Sequence, residues 1–137
     1  MTYPYVDTDV IIRLLTGDNP TKQAAARVLF EQVEQGQSTL AAPDTVIADA
    51  VFVLSSPRLY HLPRQQVAAL LIPLVRLPHF RVKNRRVVLQ ALALYATHNL
   101  DYSDVFIVAS MQRSASVTLY SYDRGFDRIA GITRQEP

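Results

Sequence analysis

Nine aspartates against three glutamates is an unusual acid inventory for a chain of 137 residues. Aspartate is the poorer helix former and favours caps, turns and metal sites. Four of the nine stand where chemistry is plausible. Asp7 follows the apolar run Tyr3 to Val6. Asp49 interrupts the most apolar stretch of the chain, with Thr45, Val46, Phe52 and Val53 as its helical neighbours three and four positions away. Asp104 falls in the first turn of another apolar helix, and Asp123 follows the run Val117 to Ser121. Each has a plain structural use as well: Asp7 as an N-cap, Asp104 as a complement to the helix dipole, Asp123 as a turn residue. Asp49 is expected on a buried or half-buried face, where a lone carboxylate needs an arginine, a backbone amide or a functional site as partner.

Carboxylates brought together repel and raise one another's pKa, and a hard divalent cation removes that penalty. Mg²⁺ or Mn²⁺ takes oxygen ligands, keeps several waters and is commonly held by one or two direct carboxylates. Such a centre polarises a phosphoryl oxygen and lowers the pKa of a bound water, which suits phosphodiester hydrolysis.

The elements that must position these acids alternate. Tyr3 to Val6 reads as a strand, followed by a helix carrying Val10, Ile11, Leu14 and Leu15 and stopped at Gly17. Asn19 and Pro20 form an N-cap and first helical position for a helix running to Gly36. Ser38 to Ala42 is a strand, Asp44 to Ser55 a helix, Arg64 to Leu77 a helix in which Pro73 predicts a kink or an early end, and Phe80 to Val82 an edge strand. Asn84 is expected to cap a helix ending near His98, Ser103 to start another, Val117 to Ser121 to form a strand, and the tail to add one more. This rhythm predicts a three-layer α/β/α architecture with a central, mainly parallel sheet, in one domain spanning residues 1–137. Ligands of such sheets sit beyond the carboxyl ends of the strands. Asp7, Asp44 and Asp123 follow the strands, and Asp101 and Asp127 read as cap or surface residues.

Four segments in order resemble the PIN-domain ribonucleases, specifically the VapC-type toxins of prokaryotic toxin–antitoxin pairs. They are Asp7-Thr8-Asp9-Val10-Ile11-Ile12-Arg13-Leu14-Leu15, Pro43-Asp44-Thr45 through Asp49 to Leu54, Leu100-Asp101-Tyr102-Ser103-Asp104-Val105-Phe106-Ile107, and Ser121-Tyr122-Asp123-Arg124-Gly125-Phe126. The resemblance implies metal-dependent endoribonuclease cleavage, with Asp7, Asp49, Asp104 and Asp123 catalytic. It implies that Asp7, Asp104 and Asp123 hold Mg²⁺ or Mn²⁺, with Asp9 and Ser121 in support. It further implies an RNA substrate, a cognate antitoxin and a homodimer, with Arg13 and Arg124 as candidate RNA or antitoxin contacts. Three positions depart from the pattern: Asp49 where the family usually has Glu, Asp9 where Asn is common, and Gly125 where an acid is frequent. Asp49 shortens the reach by one methylene.

Composition excludes other chemistries. Without Cys there is no disulfide framework, thiolate metal site or cysteine nucleophile. The first residues show no signal peptide and no run spans a membrane, so a soluble, cytoplasmic protein is expected. The four glycines form no phosphate-cradling loop, and the three histidines show no metal-ligand spacing. Asp7-Thr8-Asp9 also resembles the first motif of haloacid-dehalogenase-type phosphatases, which need a downstream Lys that only Lys22 and Lys83 could supply. A catalytically silent binding module of the PIN fold is the other alternative. The formal charge of +2 conceals two opposed sites, because setting aside Asp7, Asp9, Asp49, Asp104 and Asp123 leaves 14 basic against seven acidic residues. Arg81, Lys83, Arg85 and Arg86 form the densest basic cluster, a pattern that often means only a solvated face.

Overall fold

The fold is taken from a computed structural model that describes residues 2–137. Among the described residues there are six α-helices: α1 (Thr8–Leu15), α2 (Pro20–Glu34), α3 (Asp44–Ser55), α4 (Arg64–Val75), α5 (Arg85–Thr97) and α6 (Tyr102–Arg113). The strands are short: β1 (Leu40–Ala42), β2 (Phe80–Val82), β3 (Thr118–Tyr120) and β4 (Thr133–Gln135). β1 pairs with β2 and β3 with β4, both in parallel. Parallel pairing requires a crossover between partners, supplied by α3 and α4 in the first case and by the 3₁₀ helix Arg124–Arg128 in the second.

Local chemistry accounts for most boundaries. Asn19 accepts from the Lys22 amide at 3.1 Å and Pro20 opens α2, while Gly36 takes φ +77° just past its end. α4 continues through Pro73 and stops at Val75, short of Leu77. Asn84 adopts a left-handed conformation at φ 56° before α5 and makes no side-chain cap bond. Its amide instead donates to Asp44 Oδ2 at 2.8 Å, tying the end of β2 to the start of α3. The expected strand Tyr3 to Val6 is reduced to one parallel bridge between Tyr5 and Ala41. Pro4 contributes its carbonyl to Ala41 at 2.8 Å but has no N–H to extend the ladder.

Apart from the phenol side chains of Tyr95 and Tyr102 the core is apolar: among the described residues no other polar or charged side chain is buried. Phe80 is fully buried and meets Phe30 edge-on with ring centroids 5.4 Å apart. Ile11, Ile47, Leu54, Leu71, Leu92 and Val105 complete the interior, each contributing about 1.5–3 kcal/mol by leaving water. α5 packs against both α4 and α6, and α1 against α2 and α3. No helix among the described residues is long and apolar enough to cross a membrane.

Candidate active site

Asp7 ends the short extended segment and caps α1, its Oδ1 accepting from the Val10 amide at 3.2 Å. The carboxylate is exposed at the start of a helix that packs on α3. Asp9, in the first turn of α1, lies 3.5 Å from Arg13 Nε, near enough for charge attraction but without hydrogen-bond alignment. Arg13 also reaches Asp18 Oδ1 at 3.5 Å, so its charge is already shared between two acids.

Asp104 lies half-buried in the first turn of α6. Burial raises its pKa, and the charges of Asp123 and then Asp101 raise it further. Asp123 follows β3, where its backbone amide donates to Ser121 Oγ at 3.0 Å and its Oδ1 accepts from the Gly125 amide at 2.8 Å. Ser121 therefore shapes the loop that presents Asp123. Gly125 is the residue that permits this turn to lie close to the α5–α6 connection. A Cβ there would stand 2.9 Å from Leu100 Cδ2 and 3.0 Å from Asp123 Oδ1, so any larger residue would crowd both. Arg124, beside Asp123, is exposed and enters none of the ion pairs among the described residues.

Asp49 corrects the sequence reading: it is exposed, not buried or half-buried. α3 turns Val46, Ile47, Ala50, Val51 and Leu54 inward, which leaves Asp49 on the outer face beside Phe52, itself 71% exposed. Phe52 made that face look more apolar than it is. Asp49 borders a cleft of about 400 Å³ between α3 and the start of α6, shared with Asp101, Ser103 and Tyr102.

Asp101 is exposed at the start of α6, as the reading of it as a cap or surface residue expects, and it also borders the cleft of Asp49. It precedes α6 at the N-cap position without making a side-chain cap bond and adds to the negative charge around Asp104. The signal available was its position three residues before Asp104, the spacing that puts two side chains on one side of a helix start. Tyr102, between them, is buried with a hydroxyl that has no partner among the described residues. Burial, and after it the Asp44 charge, pushes that hydroxyl well above its ordinary pKa.

The acids thus fall into linked pairs rather than one closed cage. Asp104 feels the charges of Asp123 and Asp101, Asp101 shares a cleft with Asp49, and Asp7 caps α1. Among the described residues no three His, Cys, Asp or Glu side chains are grouped to hold a metal ion between them. The donors present are hard carboxylate oxygens, and Asp104 and Asp123 carry the mutual repulsion that a divalent cation relieves. This fits an ion that retains most of its water and takes one or two carboxylates, and does not fit an all-protein cage.

The family model for the PIN domain matches residues 5–132, a span that includes every acid of the site. The chain belongs to the PIN domain family. None of the curated proteins matches the chain significantly. Membership gives the three-layer α/β/α fold, with which the abundant helices and short parallel strands agree. It also supports a nuclease-type hydrolase acting on RNA, in a family whose nucleases generally use a divalent metal such as Mg²⁺. The phosphatase alternative gains nothing from the structure. Lys22 lines a groove beside Asp9 and Arg13 on the α1–α2 face, Lys83 directly follows β2, and no second acid pair follows a later strand.

Proposed function

We propose that the chain is a metal-dependent endoribonuclease acting as the toxin of a toxin–antitoxin pair. The observation that carries the reading is the approach of Asp104, at the start of α6, to Asp123, at the end of β3, within a PIN domain. In this reading residues 1–137 form one nuclease domain, active in the cytoplasm as a homodimer.

Asp7, Asp104 and Asp123 would hold Mg²⁺ or Mn²⁺, with Asp9 adding charge beside Asp7 and Ser121 fixing the Asp123 loop. When bound, the ion supplies Lewis-acid polarisation of the phosphoryl oxygen and a more acidic water. The side chains do the rest. Asp49, exposed at its cleft, accepts a proton from the attacking water, with Asp101 alongside it. The new P–O bond forms in line with departure of the 3′ oxygen, which leaves as a hydroxyl after taking a proton, and the other product carries a 5′-phosphate. Arg124 is free to meet a phosphate or an antitoxin, whereas Arg13 must first give up Asp9 and Asp18.

Purified protein with Mg²⁺ or Mn²⁺ should cut a structured RNA, and EDTA should stop it. Asp7→Asn should abolish cleavage while leaving the fold intact, since Asp7 is exposed. Cleavage that persists in EDTA and in Asp7→Asn defeats the proposal. A biological effect that persists in Asp7→Asn without cleavage identifies a silent binding module. For the toxin assignment, induced expression should arrest growth and co-expression of the neighbouring reading frame should restore it.

A further inference from the structure

The arginines singled out by sequence density do not form a featureless solvated face. Arg81, Arg85, Arg86 and, from the far end of α6, Arg113 line one groove of about 500 Å³ that includes Asn84 but no acidic residue. None of the four enters an ion pair among the described residues, where ion-paired arginine is confined to Arg13 and Arg134. Two of them are held in place. Arg85 donates to the carbonyls of Leu77, at 3.0 Å, and Phe80, and the Arg81 guanidinium stacks on the Tyr3 ring at 5.0 Å. Local stability does not explain the pattern. Arg85 and Arg86 occupy the first turn of α5, which has no acid, and positive charge there opposes the helix dipole.

Four unneutralised guanidinium groups lining one groove need a polyanion, and planar guanidinium suits phosphate in particular. A chain of neighbouring residues links this groove to the acids. Asn84 at its edge holds Asp44, Asp44 shares the next cleft with Tyr102 and Ser103, and Ser103 adjoins Asp104. We propose that the groove of Arg81, Arg85, Arg86 and Arg113 is a subsite for the phosphodiester backbone of single-stranded RNA, flanking the cleaved bond. The inference rests on the nuclease reading for its position relative to the scissile phosphate, and on the groove alone for its ligand.

The test is fluorescence anisotropy of a short labelled oligouridylate, titrated with the full chain in EDTA over a series of salt concentrations. Arg85 is left intact because it holds backbone carbonyls, and Arg86 and Arg113 are exposed. Arg86→Ala/Arg113→Ala should weaken binding about tenfold or more and lower the logarithmic salt slope by about 1.4, two contacts at ~0.7 each. Arg58→Ala/Arg76→Ala, the same charge change outside the groove, should leave both nearly unchanged. Equal loss in both double variants, unchanged binding in the groove variant, or no binding by the wild type overturns the proposal. So does loss of poly-glutamate binding with RNA affinity intact, which would assign the groove to an acidic protein segment. Groove-dependent RNA binding without any cleavage removes the nuclease reading alone, and cleavage with groove-independent binding removes the subsite alone.

Discussion

Asp104 of α6 and Asp123 beyond β3 stand close enough that, after burial, the Asp123 charge is the main influence raising the Asp104 pKa. The two are brought together by apolar packing behind them, with Val105 and Phe126 buried in the same core cluster. A fold that holds two carboxylates in repulsion is less stable than it could be, a cost that the proposed metal site would account for.

Asp104→Asn should therefore raise the thermal midpoint when no divalent ion is present. Burial and the neighbouring charges raise the Asp104 pKa in the folded state above its ordinary value, so the ionised carboxylate weakens the fold at neutral pH and ceases to do so as pH falls through the ordinary carboxylate range. Thermal melts in EDTA at neutral pH check the sign. Added Mn²⁺ should raise the midpoint of the wild type, by linkage, and not that of the variant.

At Asp49 the fold and the chemistry can be separated. Because the side chain is exposed, Asp49→Glu and Asp49→Asn should both keep stability within about 0.5 kcal/mol. Asp49→Asn should slow cleavage about 100-fold or more if the carboxylate takes a proton from water, while Asp49→Glu retains activity. Urea melts and initial cleavage rates distinguish the two effects.

Arg64 fixes the approach to the site. Its guanidinium donates to the carbonyls of Tyr95, His98 and Leu100 at 3.2, 2.7 and 2.7 Å and lies 4.3 Å from the centre of the Tyr95 ring. It thereby closes the end of α5 just before Asp101 and Asp104. Arg64→Met should cost about 2–3 kcal/mol, since carbonyls lose a charged donor, and Arg64→Lys should recover only part of it. Denaturant unfolding measures both.

Tyr60 donates to Asp18 Oδ2 at 2.7 Å, and that bond is the chief cause of the lowered Asp18 pKa. A depressed carboxylate stabilises the fold above its unfolded pKa and stops doing so as pH falls through the folded value. Tyr60→Phe should therefore lower the urea midpoint at neutral pH, with the difference from wild type shrinking as pH drops below 3.8.

The order of elements was legible because its signals are local. Asn19-Pro20 opens α2, Pro43 precedes α3 and Gly36 ends a turn by chemistry confined to a few residues. The departures arise where a distant partner decides. Asn84 gives its amide to Asp44, forty positions away, instead of capping α5. Asp49 looked enclosed because Phe52 is apolar, yet nothing packs over Phe52. Asp101 does stand at the N-cap of α6, but the cleft it shares with Asp49 is made with α3 and has no local signal. Arg113 joins the other groove arginines only through the packing of α6 against α5. The four acids of the motif could be placed individually in sequence, but their division into pairs depends on side-chain positions that spacing does not encode.

The most direct test of the account is cleavage of a labelled RNA by wild type and Asp104→Asn, each with Mn²⁺ and with EDTA. The account predicts cutting by the wild type with Mn²⁺ alone, leaving 5′-phosphate ends, and none by Asp104→Asn in either condition. Equal cutting by Asp104→Asn, or cutting by the wild type that EDTA does not stop, would contradict it.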